Sequence, residues 1–236
     1  MVQSVMREII LRLLQSAILL VILSSCTTAA YTEGSSEEED EQAEGAVFES
    51  YIPDGWSVLS SVEADFNNDA LIDIAAILEK SEDEDSLYPR TLIILFQNSM
   101  NSYTLSAATD TAVMRANEGG IWGDPFESLT VSGSDIVVEF YGGSNWRWYN
   151  KYNFTYRDNL WRLSELRLGY YFTPTTTFDN ADEEYYNFLT GKYISRKTDD
   201  AGSLNIYEED MKKRDLIPLK DFIINSAEST FYEDYL

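Results

Sequence analysis

Two long alternating stretches, Trp146 to Arg157 and Leu160 to Phe172, constrain the fold of this chain more than any other feature. Counting by two along the first stretch places aromatic rings on one face and mostly polar side chains on the other, which is the period of a β-strand. Asp158-Asn159, between the stretches, is typical of a tight hairpin turn. The apolar phase of the second stretch slips by one residue near Ser164 or Glu165, which predicts a β-bulge. These residues therefore predict a long, bent antiparallel hairpin.

Shorter stretches of the same kind occupy most of the chain from Val47 onwards. Turn residues separate them, among others at Ser132-Gly133-Ser134, Gly142-Gly143 and Thr190-Gly191. The predicted strands are Trp56 to Val62, Leu71 to Leu78, Thr91 to Gln97, Tyr103 to Ala107, Leu129 to Val131, Ile136 to Tyr141, Tyr185 to Leu189, Lys192 to Lys197 and Leu204 to Tyr207. Residues 47–236 are therefore predicted to form a mainly β domain, as an antiparallel meander or a sandwich-like arrangement. In an alternative division of the same residues, a smaller C-terminal part begins at about residue 175.

The rings of the first long strand share one face, formed by Trp146, Trp148, Tyr152, Phe154 and Tyr156. One interpretation is that this face packs against a second sheet, because aromatic side chains supply much of a β core. The other is a stacking platform for a sugar or peptide, formed by Trp146 and Trp148 with Tyr149 or Arg147 at its rim. The stretch from Gly142 to Trp148 is also similar to a Gly-Gly-Ser-x-Trp-Arg-Trp element of bacterial exported proteins, which implies shared architecture and no activity.

The N-terminus is typical of a secretory signal. Met1 to Arg12 carries two arginines, and Leu13 to Leu23 is apolar but shorter than the roughly 20 residues of a stable bilayer crossing. Leu23-Ser24-Ser25-Cys26 follows and resembles the lipobox of bacterial lipoproteins. The resemblance implies cleavage after residue 25, lipid on Cys26 and a membrane-anchored mature protein. A plain signal peptide with an accidental cysteine, or an uncut anchor, is the alternative.

Residues 26–46 join the lipidated cysteine to the predicted domain. They contain a dense acidic run and one aromatic residue, so they cannot bury enough apolar surface to fold. We expect a disordered tether that its own charge extends. Some bacteria also read acidic residues after the lipidated cysteine as a signal for surface export, and the two interpretations are compatible. The sequence thus predicts an exported lipoprotein, at the outer membrane or cell surface rather than the inner membrane.

Composition excludes several classes of function. The chain has 41 acidic and 17 basic residues, a net charge of −24, no histidine and one cysteine. A protein this acidic repels nucleic acid. Without histidine, and with Cys26 used for lipid, neither a Ser-His-Asp or Cys-His catalytic group nor a zinc site of the His or Cys type can be assembled.

One short loop carries the pattern of a calcium site. Oxygen-bearing side chains stand at loop positions 1, 3, 5 and 9, namely Asp65, Asn67, Asp69 and Asp73, and the backbone carbonyl of Leu71 stands at position 7. A tight turn with this spacing points alternate side chains inward around a hard cation, and water can complete the shell. The alternative is an acidic turn that holds no ion.

The loop resembles the Asp-x-Asn-x-Asp-Gly-x-x-Asp calcium loop of FG-GAP and VCBS repeats. The resemblance covers about nine residues and one copy, so it implies a structural calcium ion and no propeller. The family has glycine at position 6, where the backbone needs a positive φ, and this chain has Ala70. An alanine in that conformation costs on the order of 1 kcal/mol.

Three hypotheses of function follow. The first is a non-catalytic, calcium-stabilised binding or accessory module of the cell envelope, with a glycan or an envelope protein as its partner. The second is a carboxylate-dependent glycan hydrolase, which requires two acids about 5 to 10 Å apart beside exposed tryptophans. The third is a purely structural envelope protein.

Overall fold

Two antiparallel sheets make up the fold, and the predicted mainly β class is confirmed. The computed structural model describes residues 46–80, 89–199, 201–212 and 215–224. The predicted signal peptide, Cys26 and the acidic tether as far as residue 45 lie outside the described residues. Among the described residues, no helix is long and apolar enough to span a membrane.

The sheets follow one another along the chain. The first contains β1 (Trp56–Ala64), β2 (Asp73–Lys80), β3 (Arg90–Gln97) and β4 (Tyr103–Thr109), in that order. The second contains β5 (Phe126–Ser132), β6 (Asp135–Gly143), β7 (Trp146–Arg157), β8 (Leu160–Phe172), β9 (Asp182–Asn187), β10 (Lys192–Thr198) and β11 (Leu204–Asp210), also in sequence order. Short 3₁₀ helices in the described connections span Phe48–Tyr51, Gly120–Trp122, Phe178–Asn180 and Leu219–Asp221. Both sheets are meanders, because every strand pairs with its neighbour in sequence.

The main core lies between the two sheets. Ile77 and Ile94 of the first sheet belong to the same buried cluster as Val138, Phe154 and Leu163 of the second. Removing such side chains from water is the main favourable term in folding. The two sheets therefore pack face to face as a sandwich.

The first sheet is buried on its other face as well. Tyr51, in the segment before β1, packs against Ile74, Ile93 and Leu95 in a second buried cluster. Its hydroxyl donates a hydrogen bond to the backbone carbonyl of Tyr103. Burial on both faces explains why β2 and β3 are continuous apolar runs rather than alternating ones.

Of the two turns predicted at the ends of β7, one is confirmed and one is wrong. Asp158 and Asn159 have φ values of 53° and 60°, as a two-residue type I′ turn requires, so that turn is confirmed. The prediction of a turn at Gly142-Gly143 is wrong, since both residues end strand β6. Gly142 instead makes room for Trp148 on the neighbouring strand, because a Cβ at Gly142 would lie 2.4 Å from that indole ring.

The predicted bulge in β8 is confirmed. Asn153 pairs with Glu165 and Phe154 pairs with Leu163, so Ser164 is the extra residue between them. Ser164 is fully buried, and its hydroxyl donates a hydrogen bond to the Asn153 carbonyl over 3.1 Å. The bulge lets the apolar side chains on both sides of it face the same core.

The C-terminal part of the chain belongs to the same sandwich. Strands β9 to β11 continue the second sheet, and Tyr186 and Tyr193 from them join the main core. Residues 215–224 then return across the core and add Leu219 and Phe222 to it.

A buried arginine fastens the long connection between β4 and β5. Arg90 on β3 is 2% exposed, and its Nε donates to Oε2 of Glu79 over 2.8 Å. Its Nη1 donates to Oδ1 of Asp124 over 2.7 Å and to the carbonyl of Met114 over 3.2 Å. One guanidinium thus ties the first sheet to the connection that leads into the second.

Candidate binding groove and candidate calcium loop

The face of the second sheet that points away from the core forms a groove of about 860 Å³. This volume is within the range of small-molecule binding sites. Its aromatic lining includes Trp122, Tyr141, Tyr149, Tyr171 and Phe178. Its charged lining includes Glu127, Glu139, Lys151, Arg167, Glu183 and Arg196.

Strand pairing arranges these side chains in rows that cross the strands. In one row, Glu139 on β6 pairs with Lys151 on β7, which pairs with Arg167 on β8. Directly paired residues of an antiparallel sheet point to the same face, with their Cβ atoms about 5 Å apart. The row therefore places one acidic and two basic side chains side by side across the floor of the groove.

A second row runs parallel to the first. Tyr141 pairs with Tyr149, Tyr149 with Gly169, Gly169 with Glu183, and Glu183 with Arg196. Gly169 is required because the Tyr149 ring lies flat over it, so that a Cβ at Gly169 would be 1.9 Å from that ring. The Tyr149 hydroxyl crosses β8 in this way and donates to Oε2 of Glu183 over 2.8 Å. Burial and the Glu183 carboxylate raise the pKa of Tyr149, so its hydroxyl stays protonated at neutral pH.

The cations of the floor have partners within the protein. Lys151 Nζ lies 2.6 Å from Oε1 of Glu139, and Arg167 Nη1 lies 3.0 Å from Oε1 of Glu183. Arg196 Nη2 donates to the backbone carbonyl of Asp179 over 2.9 Å. The charges on the floor are therefore largely compensated by one another.

Rings from two connections stand over this floor. Trp122, in the connection before β5, lies edge-on to the Tyr141 ring at 4.9 Å between centroids. The guanidinium of Arg147 lies 4.4 Å from the centre of the same indole, which holds the tryptophan in place. Phe178, in the connection before β9, lies 4.7 Å from the Tyr149 ring. Trp122 and Phe178 are 49% and 51% exposed, so each presents a ring to solvent.

A pair of tyrosines closes one end of the groove. The hydroxyls of Tyr141 on β6 and Tyr171 on β8 are 2.7 Å apart and share a hydrogen bond across the intervening strand. Burial and this hydrogen bond raise the pKa of Tyr171 to about 12. Tyr171 therefore stays protonated at neutral pH, and a phenolic hydroxyl can both donate a hydrogen bond to a ligand and accept one from it.

The structure separates the four residues of the predicted platform. Tyr149 lies in the groove and Arg147 lies beneath Trp122. Trp148 points to the opposite face, where it packs against the core. Trp146 is also on that face, 61% exposed and 4.8 Å from the Phe172 ring.

The predicted calcium loop has the expected backbone. Ala70, at the position where the related loops have glycine, has a φ of 68°, and Asn68 has a φ of 62°. The carboxylate of Asp65 accepts hydrogen bonds from the amides of Asp69 and Ala70 over 3.0 and 2.9 Å. The side-chain oxygen of Asn67 also accepts from the Asp69 amide, over 3.0 Å. The turn therefore brings the oxygens of loop positions 1 and 3 together around one amide.

Asp73, at loop position 9, is fully buried. Its two oxygens accept hydrogen bonds from the amides of Phe66 and Gln97, each over 2.9 Å. Burial raises the pKa of Asp73, although these two amides act against the increase. In the part of the chain that the structure describes, no three acidic or cysteine side chains are grouped as a metal site. Two residues of the loop thus have a positive φ, and its carboxylates accept hydrogen bonds from backbone amides.

No protein-family model matches the chain, and no curated protein matches it. Function is therefore inferred from the chemistry of the groove and the loop themselves.

Proposed function

We propose that the protein is a non-catalytic binding module of the cell envelope that holds its ligand in the groove of the second sheet. The observation that carries this proposal is the pair of half-exposed rings, Trp122 and Phe178, above a floor of ion-paired side chains. Aromatic rings that line a concave pocket beside polar groups offer the apolar stacking surface that ligand sites use. A purely structural protein has no need of such a groove.

The arrangement favours binding over hydrolysis. A carboxylate-dependent glycosidase needs one acid that keeps its proton beside a second that is ionised. In the groove, Glu139 is ion-paired with Lys151, and Glu183 with Arg167. The carboxyl group of Asp73, whose pKa burial raises, belongs to the first sheet and not to the groove.

Binding to the groove can be tested on the full-length protein in detergent with soluble polysaccharides and peptides as probes. We expect at least one class of probe to bind, and Trp122→Ala to weaken that binding about tenfold or more, because a ring at the centre of a contact carries much of its energy. The measurement is isothermal titration calorimetry. The proposal is wrong if no probe binds. It is also wrong if Trp122→Ala and Phe178→Ala both bind the probe as tightly as the wild type does.

We propose further that lipid on Cys26 anchors this module to a membrane, with the acidic residues up to position 45 as a spacer. Cys26→Ala is expected to release the protein from the membrane fraction, because a protein needs acyl chains or a spanning helix for stable anchoring. The measurements are fractionation and labelling with a radioactive fatty acid. Unchanged membrane retention together with the absence of label from the wild type would contradict the lipid anchor.

The loop of residues 65–73 is proposed to bind calcium as a structural ion. At a calcium concentration of about 100 times the dissociation constant, binding adds about 2.7 kcal/mol of stability, which is roughly 5 to 10 °C in Tm for a domain of this size. Asp69→Ala should abolish this increase, as followed by circular dichroism with excess calcium or chelator.

Asp199 offers a matched control for that experiment. It closes another acidic turn, in which its Oδ1 accepts from the amides of Ala201 and Ser203 over 3.0 and 2.8 Å. Asp199→Ala should lower stability without changing the response to calcium. A wild type whose Tm is the same with calcium and with chelator would show that the loop is an acidic turn that holds no ion.

A further inference from the structure

We infer that the ligand of the groove is an uncharged glycan that lies across the strands, from β6 to β10. This inference rests on the proposed function, because it names the ligand class of the same groove. It follows from the charge of the floor, the direction of its rows and the place of the groove within the sheet.

The charge of the floor selects an uncharged ligand. Three cations and four carboxylates line this groove. The groove is therefore nearly balanced in charge, although the whole chain has 41 acidic and only 17 basic residues. Lys151 and Arg167 are paired with Glu139 and Glu183. An anionic or cationic ligand would have to replace these ion pairs. A sugar does not, because a guanidinium has five donors and a carboxylate about four acceptor positions, so hydroxyls can bond to both partners of an intact pair.

The rings select a ligand with flat apolar faces between its hydroxyls. The half-exposed rings of Trp122 and Phe178 lie in the groove, one beside Tyr141 and the other beside Tyr149. The C–H faces of a pyranose ring can stack on them while its hydroxyls reach the charged rows. Neutral tyrosine hydroxyls at the end of the groove add partners that both donate and accept.

The rows also set the direction of the ligand. They run perpendicular to the strands, and the distance from β6 to β10 is about 19 Å at the usual spacing of about 4.8 Å between strands. A chain of several sugar units lying along the rows would contact the acidic and basic side chains of both rows.

A peptide fits this place less well. Extended peptides usually bind a sheet by adding a strand at its edge, where backbone groups are unpaired. Glu127 is the one lining residue on an edge strand, β5, and the other strand residues of the lining lie on β6 to β10, inside the sheet. Backbone hydrogen bonds in this region already join neighbouring strands, so specificity has to come from side chains alone.

The test is native gel electrophoresis of the full-length protein, in gels that contain one polysaccharide each. The neutral probes are mixed-linkage β-glucan, galactomannan and dextran, and the acidic probes are alginate and polygalacturonate. We expect at least one neutral probe to retard the protein and the acidic probes to leave it unretarded. The retardation should be similar at about 0.05 and 0.5 M salt, because exposed ionic contacts are screened over this range and contacts with an uncharged sugar are not.

Matched tryptophan variants locate the ligand. Trp122→Ala should abolish the retardation, and Trp146→Ala should leave it unchanged, since Trp146 is an exposed tryptophan on the opposite face of the same sheet. Gels without polysaccharide and melting curves show whether each variant is folded. A Trp146-dependent retardation would place the ligand on the other face and overturn the inference.

The remaining outcomes separate this inference from the proposed function. If only an acidic polysaccharide or a peptide binds, and Trp122→Ala weakens it, the groove is a binding site but its ligand is not an uncharged glycan. If none of these probes binds, both the inference and the proposed function fail.

Discussion

Replacing Arg90 by leucine is expected to lower the free energy of unfolding by about 3 kcal/mol, because removing one partner of a buried ion pair leaves the other charges without compensation. The Arg90 side chain is fully buried, whereas Glu79 and Asp124 are 23% and 45% exposed. Water can therefore reach both carboxylates in part, which places the expected loss at the lower end of the range for buried pairs. Urea unfolding followed by tryptophan fluorescence measures it.

The exposed ion pair of Lys192 and Asp210 is a matched control. Its N–O distance is 2.6 Å, but the two side chains are 54% and 80% exposed. Lys192→Leu should therefore change the free energy of unfolding much less than Arg90→Leu does, because exposed ion pairs contribute little. Equal effects of the two substitutions would show that Arg90 does not act through its burial.

The pH dependence of stability provides a second measure of the Arg90 contact. Burial alone would raise the pKa of Asp124, but hydrogen bonds from Arg90 and from the Phe126 amide lower it below its usual value of 3.8. A carboxyl group with a lowered pKa stabilises the fold fully above its unfolded pKa, and this contribution is lost as the pH falls through the folded pKa. Below about pH 4, Arg90→Leu should thus lose stability less steeply than the wild type. Parallel curves would contradict this account of Asp124.

Local pattern was enough to predict the strands. The eleven predicted stretches correspond to the eleven strands of the described residues, and Trp146–Arg157 and Leu160–Phe172 have the predicted bounds. Alternation and turn chemistry act within a few residues, as the positive φ of Asp158 shows. The bulge at Ser164 was visible for the same reason, since it shifts the phase of one apolar pattern.

The groove was not predictable in the same way, because its parts are distant in sequence. Trp122 and Phe178 come from connections without a periodic pattern, and sequence alone does not show that both stand over the same groove. The signal that was available is the polar face of β7, where Tyr149 and Lys151 alternate with the buried rings. The two tryptophans at the start of β7 instead predict a stacking platform on the ring face, and the groove lies on the other face of that strand.

The contact between Gly169 and Tyr149 was also not predictable from the sequence. A glycine within a strand indicates a close approach by another group, but it does not name that group. Only the pairing of β7 with β8 shows that Tyr149 fills the space and reaches Glu183. Cross-strand contacts of this kind depend on register, which a bulge elsewhere in the strand changes.

Replacing Phe154 by alanine is expected to lower the free energy of unfolding by about 3 to 5 kcal/mol, the usual cost of removing a phenyl ring from a core. Phe154 is fully buried between the sheets, and its ring lies 5.4 Å from that of Phe222. Alanine would leave a cavity where the C-terminal segment crosses the core. Urea unfolding again provides the measurement.

Trp146→Ala is the comparison that gives this result its meaning. Trp146 lies on the same strand and the same face as Phe154, but it is 61% exposed and its ring contacts Phe172 at the end of the sheet. Its removal should change the free energy of unfolding by less than about 1 kcal/mol. A much larger loss of stability in Phe154→Ala than in Trp146→Ala means that the first sheet covers the ring face of β7 at Phe154. The same face is then open to solvent at Trp146. Similar losses in both would mean that the two sheets do not pack as described, and the groove on the opposite face would then lack the rigid support on which its rows of side chains depend.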